Sequence, residues 1–172
     1  KSKEKNSSRL WSIQQGNEKI PRPRRPKEKM QVTQKMKAAV LGIGRMGTAI
    51  CYAMHKLGFY VIGVDSYAGA VNNFRKHISG SAGTFYLTDK DKTFERALIF
   101  EKPDVVISSL PYHQTEEVGH WCNSNSLRYG DLGGRVDVSQ NINEAAKNLG
   151  PANAPVFTDL GLAPGWVNIL AE

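Results

Sequence analysis

Residues Met36–Gly47 read "MKAAVLGIGRMG", an apolar run that stops abruptly in three glycines. Ala38–Leu41 is short and continuously apolar, the pattern of a strand covered on both faces. Gly42, Gly44 and Gly47 then fall in the spacing G-x-G-x-x-G. The next stretch, "RMGTAICYAMHKLG" (Arg45–Gly58), places Met46, Ile50, Ala53, Met54 and Leu57 at i, i+4, i+7, i+8 and i+11. That periodicity predicts an amphipathic helix whose buried stripe is those five residues, stopped by Gly58. Strand, glycine turn and helix are the opening unit of a wound α/β fold.

The alternation continues to the end of the chain. Strands are predicted in "FYVIGVD" (Phe59–Asp65), "GTFYL" (Gly83–Leu87), "DVVISSL" (Asp104–Leu110), "RYGDL" (Arg128–Leu132) and "PVFTD" (Pro155–Asp159). Helices are predicted over Ala68–Ile78, Lys92–Phe100, Gln114–Asn125 and Asp137–Leu149. Six strands joined by right-handed helical crossovers give a doubly wound, mostly parallel sheet in a three-layer α/β/α arrangement.

Composition narrows the function classes. A chain of 172 residues, 40% hydrophobic and 23% charged, has room for one substantial core. The net charge of +7 suggests a nucleic-acid partner until it is located. Residues 1–35 carry 11 Lys/Arg against 3 acids, whereas residues 36–172 carry 12 against 13. The basicity belongs to the leading segment, so nucleic acid is not the favoured partner of the body. That segment lacks apolar periodicity and holds three prolines, the composition of a disordered extension. It reads as an inert extension or non-native coding sequence, as a basic arm for an anionic surface, or as a transit peptide. Three glutamates argue against the last. No apolar stretch approaches the roughly 18–20 residues that span a bilayer. Cys51 and Cys122 lack metal-ligand spacing and read as buried reduced thiols, so no metal and a cytoplasmic location are expected.

The glycine turn specifies chemistry as well as fold. In the context strand–turn–helix, Gly42 permits the tight turn, Gly44 admits a pyrophosphate against the backbone, and Gly47 allows helix and sheet to touch. Ile43, Arg45 and Met46 complete the loop, whose helix amino terminus offers N–H groups to phosphate. Asp65 stands 18 residues after Gly47, where a carboxylate would accept bonds from the adenosine ribose and repel a 2′-phosphate. Ser66 and Tyr67 follow with no arginine to receive that phosphate, so NAD is favoured over NADP. A solvated strand end is the bland reading of Asp65, and a methyltransferase is the rival for the cofactor. The switch point between the first and fourth strands would bring Ser109, Leu110 and Pro111 to the nicotinamide end. Tyr112 and His113 are the nearest candidates for acid–base chemistry, although a solvent-exposed first helical turn explains His113 more simply.

Two further turns carry a family likeness. Asp131, Leu132, Gly133 and Gly134 form D-L-G-G after the fifth strand, and Asp159, Gly161, Pro164 and Gly165 form D-x-G-x-x-P-G after the sixth. With the glycine loop, this order resembles the saccharopine dehydrogenase-like family, specifically its L-lysine 6-dehydrogenase and saccharopine reductase group. Turn capping is the structural alternative for both acids. The resemblance covers Met36–Glu172 and implies an NAD(P)-dependent oxidoreductase acting at a C–N bond of an amino acid or related amine. It further implies a cofactor domain over 36–163, and a helix opening in 164–172 towards a substrate and dimerisation domain beyond Glu172. A homodimer through that domain is expected. The competing readings are a stand-alone NAD(H)-binding or sensing module and a nucleic-acid-binding protein using its basic arm.

Overall fold

The computed structural model describes residues 35–89, 93–150 and 152–171. The extension expected over 1–35 therefore lies, Lys35 apart, outside the described residues. One sheet contains β1 (Lys37–Leu41), β2 (Tyr60–Asp65), β3 (Gly83–Leu87), β4 (Val105–Ser108), β5 (Arg128–Asp131) and β6 (Val156–Phe157). Their order is β3-β2-β1-β4-β5-β6, and every pairing is parallel. The helices are α1 (Arg45–Lys56), α2 (Ala70–His77), α3 (Phe94–Glu101), α4 (Tyr112–Ser124), α5 (Val136–Asn148) and α6 (Val167–Ala171). This is the doubly wound three-layer α/β fold that the sequence predicts.

Each face of the sheet has its own core. Ala39, Leu41, Ile62, Val64 and Val106 pack with Leu98, Val118, Cys122 and Ile142 of α3, α4 and α5. Val40 and Val61 point the other way, onto Cys51 of α1 and Ala70 and Phe74 of α2. Coverage on both faces is why β1 and β2 read as unbroken apolar runs. At about 1.5–3 kcal/mol for each fully buried aliphatic side chain, these layers fix the strand edges from which the loops project.

Three details differ from expectation. In α1 the buried positions are Gly47 and Cys51, flanked by half-buried Ile50 and Met54. Met46, Ala53 and Leu57 are exposed. The helix is rotated by about one residue because Gly47, not Met46, has to face the glycine turn. Strand β6 is two residues long, so Asp159 lies in the following turn and not on the strand. The C-terminal helix does not start at Pro164; a turn of π-helix over Leu162–Trp166 precedes α6. Among the described residues no helix is long and apolar enough to cross a membrane.

Candidate cofactor-binding site

The carboxyl ends of β1 and β4 are adjacent in the sheet, and the chain leaves them towards opposite sides. The glycine turn fills this switch point. Gly42 has φ +84° and donates its N–H to the Val64 carbonyl at 2.8 Å. A Cβ there would lie 3.0 Å from both Leu110 Cδ2 and the Ser109 carbonyl oxygen, so the loops after β1 and β4 touch. A Cβ on Gly47 would come within 1.8 Å of the Gly42 carbonyl oxygen. Around Gly44 a Cβ would meet nothing within 4 Å. The turn is thus closed at two glycines and open at the third. Gly44 caps α1 without any side-chain hydrogen bond, and no acid occupies the first turn. The N–H groups there keep the unsatisfied capacity and dipole that suit an anion. Ile43 is buried beneath the loop, while Arg45 and Met46 are exposed on it.

Asp65 closes the loop from below. Its Oδ2 accepts the Ile43 N–H at 2.5 Å, and its Oδ1 accepts the Tyr67 N–H at 2.7 Å. Each oxygen keeps a second lone pair for a ligand hydroxyl. Asp65 and exposed Ser66 border a cleft of about 250 Å³ that reaches Thr88 beyond β3, Glu95 on α3, and Leu110 and Glu117 beyond β4. Asp65, Asp89, Glu95 and Glu117 all line it, with no lysine or arginine among the described lining residues. Glu95 and Glu117 did not stand out in the sequence. The available signal was Gln114 and Glu117, three apart on the helix that follows the switch-point loop.

On the other side of the switch point, Ser109 and Leu110 are half-buried and Pro111 is the N-cap of α4. Tyr112 is 45% exposed, with Arg135 over its ring at 5.3 Å, and a Cβ added at Gly134 would lie 3.4 Å from its own Cβ. Arg135 also forms a bidentate pair with Asp137. His113 is exposed beside Tyr112 and Gln114, and no carboxylate pairs with it among the described residues. Its surroundings are those of a first-turn surface residue.

Asp131 is 1% exposed and ties the two family-like turns together. Its Oδ1 accepts from Gly133 N at 2.7 Å and from Asp159 N at 3.2 Å. Its carbonyl accepts from Leu160 N at 2.8 Å. Asp159, at φ +62°, in turn accepts from the Ser139 hydroxyl at 2.9 Å. Neither glycine beside it could carry a side chain: a Cβ on Gly133 would lie 2.2 Å from Asp159 Oδ1, and one on Gly165 would lie 2.5 Å from the Asp159 carbonyl. Gly161 and Pro164 continue this turn into the π-helix. Burial pushes the Asp131 carboxyl above the usual carboxylate range, against the pull of the two N–H donors. Its Oδ2, and the Ser108 hydroxyl at the paired position on β4, are buried without hydrogen-bond partners among the described residues.

No protein-family model matches this sequence, and no curated protein matches it. Solved structures do resemble it. Saccharopine dehydrogenase (L-Glu forming) from Saccharomyces cerevisiae superposes with a TM-score of 0.64 at 17% identity, over 79% of this chain and 29% of that one. The dehydrogenase WlbA from Chromobacterium violaceum, solved with NADH and UDP-GlcNAcA, gives 0.58 at 15% identity, over 74% and 36%. The TrkA-N domain of the Escherichia coli inner membrane protein YbaL gives 0.59 at 13% identity, over 81% and 98%. The likeness is one of fold. This chain adopts the Rossmann arrangement found in those dehydrogenases, and it spans about a third of the length of the two named here.

Proposed function

We propose that the chain is the cofactor-binding part of an NAD-dependent oxidoreductase of the saccharopine dehydrogenase-like type. The observation that carries the reading is the glycine turn, shut at Gly42 and Gly47 yet open at Gly44, over an uncapped helix end and beside Asp65. Gly42, Ile43, Gly44, Arg45, Met46 and Gly47 would hold the pyrophosphate, and Asp65 and Ser66 the adenosine ribose. Ser109, Leu110, Pro111 and Asp131 would border the nicotinamide. A bound nicotinamide would supply hydride exchange with the carbon of a C–N bond in an amino acid or related amine. The turns at Gly133–Gly134 and Asp159–Gly165, locked together by Asp131, support the finer family reading and would face substrate. Tyr112 and His113 would be the candidates to hold or move a proton there.

In this reading residues 36–163 are the cofactor domain, residues 164–172 lead out of it, and the enzyme works as a homodimer. The free, buried thiols of Cys51 and Cys122 fit a reducing compartment such as the cytoplasm. Titrating NADH and NADPH into the protein and its Asp65→Ala variant tests the assignment. NADH is expected to bind more tightly than NADPH and to weaken about tenfold or more in the variant. Unchanged NADH affinity in Asp65→Ala removes that residue from the site, and no binding of either cofactor removes the reading. A module that binds NAD(H) without turnover is the second reading, supported by the superposition on nearly the whole of a single E. coli domain. NAD reduction assayed with lysine, saccharopine and other amines separates the two.

A further inference from the structure

Thr88 and Thr93 line two clefts at once. One is the cleft beside Asp65; the other is a pocket of about 260 Å³ at the edge strand β3, bordered also by Tyr86, Leu87, Arg96 and Phe100. The two differ in charge. Acids line the first, with no lysine or arginine among its described lining residues, whereas the described lining of the second holds no acid and one cation, Arg96. Arg96 is exposed, and its guanidinium makes no ion pair or hydrogen bond among the described residues. Leu87 is 48% exposed and Phe100 76%, apolar surface that an apolar occupant would take out of water. Tyr86 is half-buried, and its hydroxyl is fixed on the Glu101 carboxylate at 2.7 Å, which Lys37 holds in turn. One aromatic wall is therefore set before any ligand arrives, which lowers the ordering cost of binding.

We propose that this pocket binds a compact aromatic carboxylic acid, its ring against Tyr86 and Phe100 and its carboxylate on Arg96. A guanidinium presents paired donors that match a carboxylate, and the Thr88 and Thr93 hydroxyls can donate to lone pairs left over. Aromatic walls favour a ring over an aliphatic chain, because ring pairs gain beyond the area they bury. The volume falls just below the roughly 300–1,000 Å³ of pockets for drug-sized ligands, so one ring and a short chain fill it. The acids of the neighbouring cleft repel the same molecule, so the two sites take different ligands. Occupancy of this pocket is independent of the cofactor reading.

The test titrates 3-phenylpropionate, and 3-phenylpropanol as its uncharged counterpart, into the wild-type chain, Arg96→Gln and Phe100→Ala, followed by NMR. Wild type is expected to bind the acid about fivefold or more tightly than the alcohol. Arg96→Gln should erase that preference and keep the affinity for the alcohol. Phe100→Ala should weaken both ligands and keep their ratio. Both side chains are exposed, so neither substitution opens the core. No binding of the acid by wild type, equal binding of acid and alcohol, or a preference that survives Arg96→Gln overturns the inference. So does sedimentation that shows wild type self-associating and Phe100→Ala monomeric, because the pocket is then a contact between copies of the chain. NADH titrated into the same samples keeps the two readings apart. NADH bound without the acid sinks the pocket alone, and the acid bound without NADH sinks the cofactor reading alone.

Discussion

Each glycine of the turn does a different job, and substitution should separate them. Gly47→Ala forces a methyl group to 1.8 Å from the Gly42 carbonyl oxygen, backbone against backbone. A loss of about 1–3 kcal/mol of stability is expected, seen as a lower denaturant midpoint. Gly44→Ala meets open space, so it should cost under about 1 kcal/mol while weakening NADH binding tenfold or more. A large stability loss in Gly44→Ala would show that the openness is not kept for a ligand. Asp131 makes a prediction in pH. Its carboxyl is raised in the folded state, so as pH climbs from about 4 the unfolded chain releases the proton first. Stability is therefore drained over that window until Asp131 itself ionises. Asp131→Asn keeps an acceptor for Gly133 and Asp159 and removes the titration. Thermal melts of the two proteins should converge, or cross in favour of the variant, as pH rises. Spacing alone revealed the three glycines, because the motif is local. It could not reveal Asp131 bonding to Asp159, since those residues are 28 positions apart. Nor could it show Asp65 spending bonds on Ile43 and Tyr67, because both of those donors are backbone groups common to any sequence.

Among the elements, β1, β3 and α3 are clamped together by one ion pair and its hydrogen bonds. Lys37 Nζ donates to the Glu101 carboxylate and carbonyl, both at 2.8 Å, and Tyr86 donates its hydroxyl to the other carboxylate oxygen at 2.7 Å. Burial raises the Glu101 carboxyl, but the hydrogen bonds from Lys37 and Tyr86 outweigh it and hold the group below its ordinary value. A depressed carboxyl contributes stability above its unfolded value near 4.5 and loses it as pH falls through the folded one. Glu101→Gln should melt lower than wild type at pH 7, with the gap closing below about pH 4.5. A constant gap would place the loss in packing. Element type and order were readable from periodicity throughout, because strands buried on both faces and amphipathic helices leave different patterns. The rotation of α1 was not. Hydropathy favours Met46 and Leu57 as core residues, yet contact with the Gly42 carbonyl turns Gly47 and Cys51 inward. Tertiary contact at one glycine overrode the moment of the whole helix. The early end of β6 was not readable for a similar reason, since the positive φ of Asp159 cuts the predicted strand short.

At the scale of the whole molecule, the parallel sheet concentrates every candidate site residue at the strand carboxyl ends. Lys37 stands at the other, amino end of β1. Ligand binding should therefore stabilise the fold without remodelling it, and NADH at a hundredfold excess over its Kd should add about 2.7 kcal/mol. A melting temperature unmoved by NADH would contradict the proposed site. The sheet also sorts the two cysteines. Cys51 lies in the layer of α1 and α2, and Cys122 in the layer of α3, α4 and α5. Burial pushes both thiols up to about 12, so neither reacts at neutral pH unless its own layer opens. An alkylating reagent therefore becomes a clock with two hands, one for each side of the sheet. Because Cys51 is four residues along the helix from Gly47, NADH should slow the first hand more than the second.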